Sequence, residues 1–172
     1  MHGHRYLLIL AICTLAACSK APPPVAGAAA KAPASSASTS VPASACDRKL
    51  VTIEDAVGIL DAPVTATKNI PGDPQSCVFD TASYPSLTVT IRPGHGQAAV
   101  GMYTSGKMDQ FDKSAPLAGV GSEAVRSLAL DRVIARKDDL LCEITGPGLA
   151  NATDDSKARK LGALCNKIFA AY

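Results

Sequence analysis

The sequence predicts an α+β fold for residues 46–172: a single domain with an antiparallel sheet of about five strands and helices packed on one face, in the order α-β-β-α-β-β-β-α. Three observations predict it. Over residues 86–93, Leu87, Val89 and Ile91 alternate with Thr88, Thr90 and Arg92, the period of two of a strand with one face in water. Two segments, after Thr52 and after Thr153, instead carry apolar residues at steps of three and four, the helical spacing. The links between successive strands are short, which favours antiparallel pairing with amphipathic helices as a second layer.

Before that domain come two segments of a different kind. Residues 1–17 begin with His2, His4 and Arg5, continue through an apolar run of about ten residues from Tyr6 to Leu15, and end in small residues. That is the layout of a secretory signal peptide. The run is too short to span a bilayer, which takes roughly 20 apolar residues. Leu15-Ala16-Ala17-Cys18 resembles the bacterial lipobox, and the resemblance implies that the thiol of Cys18 receives a diacylglyceryl group and becomes the first residue of the mature chain. Each buried methylene of such an anchor contributes ~0.8 kcal/mol, enough for several chains to hold firmly to a membrane. Ser19 after the cysteine implies the outer membrane, facing the periplasm, in a Gram-negative cell; otherwise the expected place is the outer face of the cytoplasmic membrane.

Residues 18–45 are Ala, Pro and Ser with little else, and five of the twelve prolines lie here. Prolines interrupt every candidate helical turn, and the segment has too little apolar surface to offset its ordering entropy. It reads as a disordered tether whose ends lie on the order of 30 Å apart as a coil.

Within the domain, Thr52 is placed to cap a short helix with Ile53, Ala56, Val57 and Leu60 on one face, ended by Asp61 and Pro63. "NIPGDPQS" reads as loop from its Gly and Pro content. "CVFDTA" and "SLTVTIRP" read as strands joined near Tyr84-Pro85. Residues 96–106 are weakly helical, with Ala99, Met102 and Tyr103 on a shared face. Residues 107–121 read mostly as loop. "SEAVRSLA", "DRVIARK" and "LLCEITG" read as three more strands, with Asp138-Asp139 turning between the last two. Thr153 is placed to cap a final helix, with Asp154 and Asp155 in its first turn. The apolar stripe of that helix runs Ala158, Leu161, Cys165, Ile168, Tyr172.

Of six cysteines, Cys13 leaves with the signal and Cys18 is the lipid site, so Cys46, Cys77, Cys142 and Cys165 remain. An even number in an exported domain predicts disulfides. Cys142 shares a face with Leu140 and Ile144, and Cys165 lies on the apolar stripe of the last helix. Both thiols therefore point into the helix–sheet interface, which predicts Cys142–Cys165. Cys46–Cys77 follows and ties the start of the domain to its first predicted strand. In the chain-entropy account each loop is worth ~3–4 kcal/mol.

All 15 acidic residues lie at or beyond Asp47, and the chain from Cys46 onward carries a net charge of −1. Such a domain lacks the basic footprint of a nucleic-acid binder. With no Trp and few Phe and Tyr, stacking platforms for bases or sugars are scarce. No CxxC spacing occurs, so no metal or cofactor is expected. His95 is the one histidine after the signal. It is a candidate general base for Ser83 or Ser105, but no GxSxG elbow accompanies it, and between glycines after a strand it reads as a loop residue. "GVGSEA" at 119–124 lacks the Lys-Ser/Thr ending of a phosphate-binding loop and reads as a turn with positive-φ glycines. Asp138, Asp139, Asp154 and Asp155 suit turns and helix starts, and the sequon "NAT" at 151–153 is idle in a bacterium.

Cys46 before "TIEDAVGIL", the Cys77-Val-Phe strand and "GVGSEAV" are together similar to small uncharacterised bacterial lipoprotein domains of the actinobacterial type. The likeness spans most of residues 46–172 and implies the fold class without an activity. The expected function is a membrane-anchored cell-envelope lipoprotein with a non-catalytic binding or accessory domain. Its partners would be the membrane, through the lipid, and an envelope protein or wall component. The alternatives are an envelope hydrolase using His95 and an inhibitor or accessory subunit of a secreted enzyme. The oligomeric state is left open.

Overall fold

The computed structural model describes residues 44–83, 85–108, 113–149 and 155–172. The signal, Cys18, the tether up to residue 43, Tyr84, the sequon, Thr153 and Asp154 lie outside the described residues. Three helices and one seven-stranded antiparallel sheet make up the domain among those described, so it is α+β.

The first helix, α1 (Ile53–Leu60), begins with a capping box. The Thr52 hydroxyl accepts from the Asp55 amide at 3.2 Å, and the Asp55 carboxylate accepts from the Thr52 amide at 2.8 Å. Two otherwise unpaired helix-end donors are thereby satisfied. The helix stops at Asp61, which adopts a left-handed conformation. Strands β1 (Val64–Ile70), β2 (Asp73–Thr81) and β3 (Leu87–Pro93) form a meander. Its first hairpin turns at Pro71-Gly72, with Gly72 at φ 80°. Helix α2 (Gly96–Thr104) then crosses the sheet to its far edge, where β4 (Ser114–Pro116) begins a second meander through β5 (Glu123–Ser127), β6 (Arg132–Lys137) and β7 (Leu140–Thr145). This meander returns to set β7 beside β3, so the spatial order is β1-β2-β3-β7-β6-β5-β4. The chain ends in α3 (Ser156–Ala171).

Two expectations are corrected here. The sheet has seven strands, not about five, and the order becomes α-β-β-β-α-β-β-β-β-α. The helices also do not share one face. Helices α1 and α3 bury Ala56, Ile59, Leu161 and Ile168 against Phe79, Val89, Val133 and Ile144. Helix α2 sets Val100 and Tyr103 against Val125, Ile134 and Leu141, which are the alternate residues of the same strands. Because side chains of a strand alternate between faces, the two clusters lie on opposite sides of the sheet. Met102, expected to share a face with Ala99 and Tyr103, is 48% exposed, whereas Tyr103 is buried.

Where α2 does not reach, the same side of the sheet is polar. Ser76 hydrogen-bonds Thr90 and Asp73 at 2.7 Å each, Arg92 pairs with Asp73 at 2.8 Å, and Arg132 pairs with Glu143. Disulfides join Cys46 to Cys77 and Cys142 to Cys165, with Cα atoms 5.0 and 5.8 Å apart. The second ties α3 to β7 through the larger core, and both its cysteines are fully buried. The final helix starts two residues later than expected: Asp155 is its N-cap, and its carboxylate pairs with Arg126 at 2.6 Å.

Candidate functional site

His95 occupies the N-cap position of α2, exposed, and makes no capping hydrogen bond with its side chain. That helix end is held instead by Asp139 from the β6–β7 turn: its carbonyl accepts from the Gly96 amide at 3.1 Å and its carboxylate from the Gln97 amide at 3.3 Å. Neither candidate serine comes near. Ser105 is the C-cap of the same helix, about 15 Å further along its axis, and donates to the Met102 carbonyl at 3.2 Å. Ser83 precedes β3, whose seven residues carry the chain roughly 23 Å before His95 is reached. The structure does not bring a base and a nucleophile together at His95.

A different place gathers chemistry. The turn that opens the described domain, residues 44–50, is held by Asp47, whose carboxylate accepts from the Ser44 hydroxyl at 2.5 Å, and by an Ala45 amide to Pro74 carbonyl bond of 2.8 Å. The turn places Cys46 over β2, where it bonds to Cys77. Immediately after it, the capping box fixes the start of α1 so that Ile53 projects outward, 51% exposed. Between this turn, α1 and the edge strand β1 lies a cleft of about 320 Å³. Its floor is the buried ring of Phe79, its walls are Val51, Ile53 and the Cys46 side of the disulfide, and Thr67, Lys49 and Glu54 supply polar groups at the rim. An apolar floor with a few convergent polar groups is the usual make-up of a small binding site.

Two other depressions lie elsewhere on the domain. One, of about 370 Å³, runs between α1 and α3 and is bridged by the Asp55–Lys167 ion pair at 2.5 Å. Burial pushes the Asp55 carboxyl up, but the hydrogen bonds from Lys167 and Thr52 outweigh it and hold the group below the ordinary carboxylate range. The other, of about 360 Å³, lies beside Gly94, Asp138, Asp139 and Tyr172. Among the described residues no three His, Cys, Asp or Glu side chains converge as metal ligands would, and no helix is long and apolar enough to cross a membrane.

No protein-family model, curated protein or solved structure matches this chain.

The cleft beside Cys46 is built from three separated stretches of sequence, and no motif announces it. Sequence reasoning placed Ile53 in the core stripe of α1, whereas the inward face is Ala56, Ile59 and Leu60. Val57 is also turned out, at 36% exposure. A usable signal was the surplus of apolar residues on so short a helix: two faces are apolar, and only one can meet the sheet. The "GVGSEA" segment is a turn between β4 and β5, with Gly119 at φ 80° and Gly121 at φ 55°.

Proposed function

We propose that this chain is a lipid-anchored cell-envelope protein whose disulfide-stapled domain works as a binding or accessory module. Residues 1–17 are removed, Cys18 carries the acyl chains, and residues 19–45 form the leash. The anchor reading rests on the apolar run ending in Leu15-Ala16-Ala17-Cys18. It places the protein on the outer membrane facing the periplasm in a Gram-negative cell, and otherwise on the outer face of the cytoplasmic membrane. The two disulfides accord with export to an oxidising compartment.

The observation that carries the binding part is the half-exposed Ile53 at the mouth of a cleft floored by Phe79. A large aliphatic side chain held in water by a capped helix gains by being covered, at about 25 cal/mol per Å² of apolar surface removed from water. The partner is an envelope protein or wall component that covers Ile53 and reaches Thr67.

One experiment tests both halves. Full-length wild type and Ile53→Asp are expressed in bacteria, isolated from membranes, weighed intact and used to capture envelope components. The expected mature chain begins at Cys18 with added acyl mass, and wild type retains a component that Ile53→Asp loses. A chain that still carries Met1, or a terminus without acyl mass, overturns the anchor. Identical capture by both proteins overturns the binding surface.

A further inference from the structure

The two disulfides sit in opposite surroundings. Cys142 and Cys165 are sealed between α3 and the sheet, both at 0% exposure. Cys77 is nearly sealed, at 3%, on the core face of β2. Cys46 is only half-buried and forms part of the wall of the cleft beside Val51 and Ile53. Thiol–disulfide exchange needs a thiolate to reach one sulfur along the S–S axis, so access decides which bond reacts and which sulfur is struck.

We propose that the Cys46–Cys77 bond is a redox-exchange site, attacked at the Cys46 sulfur from the cleft by a thiol of the cellular reductant class, while Cys142–Cys165 is permanent. The inference goes beyond the binding reading and does not depend on it. In the first step a thiolate of the reductant forms a bond to Cys46 Sγ, the Cys46–Cys77 bond breaks, and Cys77 leaves as a thiolate that takes up a proton. A monothiol stops there, as a mixed disulfide on Cys46. A dithiol continues: its second thiolate attacks its own sulfur in the mixed disulfide and releases Cys46 as a thiol. The reductant is oxidised to its disulfide, and two electrons remain on the protein as two thiols.

Lys49 and Glu54 both lie on the rim of the same cleft and are exposed. The Lys49 ammonium, three residues from Cys46, offsets the Glu54 carboxylate where an incoming thiolate approaches. The consequence is local. The turn that carries Cys46 keeps its Ala45–Pro74 and Ser44–Asp47 hydrogen bonds but loses its covalent hold on β2. Phe79, at 2% exposure, then loses the disulfide wall beside it. Thiol chemistry at Cys46 thus opens the cleft from the side where the chain enters the domain.

The test uses the full chain under native conditions. It is exposed to dithiothreitol, quenched with acid, alkylated, and mapped by peptide mass spectrometry. Cys46 and Cys77 are expected to become alkylated at least about tenfold faster than Cys142 and Cys165. With glutathione in place of the dithiol, the adduct is expected on Cys46. The Lys49→Glu variant is expected to slow glutathione attack several-fold while leaving attack by cysteamine, whose ammonium cancels the charge of its thiolate, nearly unchanged. Equal rates for the two pairs, or earlier opening of Cys142–Cys165, overturns the proposal, and a glutathione adduct on Cys77 overturns the direction of attack. Equal slowing of both thiols by Lys49→Glu overturns the role given to Lys49.

Discussion

The side-chain amide of Asn166 closes on the backbone of Gly121: its Oδ1 accepts from the Gly121 amide at 2.8 Å, while its Nδ2 donates to the carbonyl of Gly119 at 2.9 Å. One residue of α3 thereby clamps both glycines of the turn that leads into β5. Between them Val120 is buried, at 5% exposure, against Gly162 of the same helix.

Gly121 has no room for a side chain. An added Cβ would stand 2.2 Å from the Arg136 carbonyl oxygen and 2.8 Å from the ring of Phe169, at a φ of 55°. That carbonyl already receives the Ser122 amide at 2.7 Å, so the neighbour cannot retreat without losing a strand hydrogen bond. Gly121→Ala is expected to cost roughly 2–4 kcal/mol through overpacking and backbone strain. Asn166→Ala, at an exposed position, should cost about 1 kcal/mol. Urea denaturation checks both, with lowered midpoints and unchanged slopes as the expected outcome.

The two disulfides should differ in worth despite similar loops, with separations of 31 residues for Cys46–Cys77 and 23 for Cys142–Cys165. Chain entropy assigns about 3–4 kcal/mol to each. Packing breaks the tie. Replacing Cys142 and Cys165 by alanine also removes two sulfur atoms from a closed interface and leaves a void, adding about 1–2 kcal/mol. Cys46→Ala with Cys77→Ala opens a site that already faces a cleft. The Cys142/Cys165 double variant is therefore expected to be the less stable in thermal and urea unfolding, and the reverse order would contradict the packing described here.

Acid sensitivity follows from two carboxylates. Burial pushes Asp73 up, but its hydrogen bonds from Ser76 and Arg92 prevail and hold it below its ordinary value of 3.8, and Asp55 behaves alike through Lys167 and Thr52. A carboxyl whose folded value is depressed contributes stability that is complete above the unfolded value. That contribution drains away as pH falls below 3.8 and through the lower folded value. Stability measured by urea unfolding should thus fall over that acid range. Asp73→Asn should lower stability at neutral pH and flatten the acid limb. Asp55→Asn should do the same with a smaller loss, because Lys167 is 49% exposed and its pairing is screened by water.

What was readable in the sequence was what one periodicity or one cap controls. Thr52 and Asp55 share a capping box because both residues lie within one local turn. Leu87, Val89 and Ile91 alternate because β3 has one face on the larger core. The β1 strand escaped because it is an edge strand exposed on both faces apart from Val64, so its side chains have no alternation to display. Its Val64, Thr65, Thr67 and Ile70 still carried strand propensity. The three-residue β4 with Pro116 is too short for any period. The placement of α2 on the opposite side of the sheet depends on the crossover from β3 to β4, a non-local property that its own weak amphipathicity did not encode. The cleft was hidden for the same reason: Cys46, Ile53, Thr67 and Phe79 meet only after the turn, helix and hairpin have docked.

Two isoleucines on one helix separate stability from recognition. Ile59 is 5% exposed within the core of α1 and α3, and Ile53 is 51% exposed at the cleft. Ile59→Ala removes buried methylene groups and leaves a cavity, so it should cost about 2–4 kcal/mol. Ile53 is already in water for half its surface and follows a cap that Thr52 and Asp55 make without it. Ile53→Asp should therefore change stability by no more than about 0.5–1 kcal/mol, and its carboxylate in the first turn of α1 even suits the helix dipole. Denaturation curves of the two variants, run beside capture of envelope components, check the division. Ile59→Ala should retain binding at temperatures where it stays folded, and Ile53→Asp should stay folded and lose it. If Ile53→Asp unfolds as readily as Ile59→Ala, the residue is part of the core, and the cleft loses its exposed apolar wall.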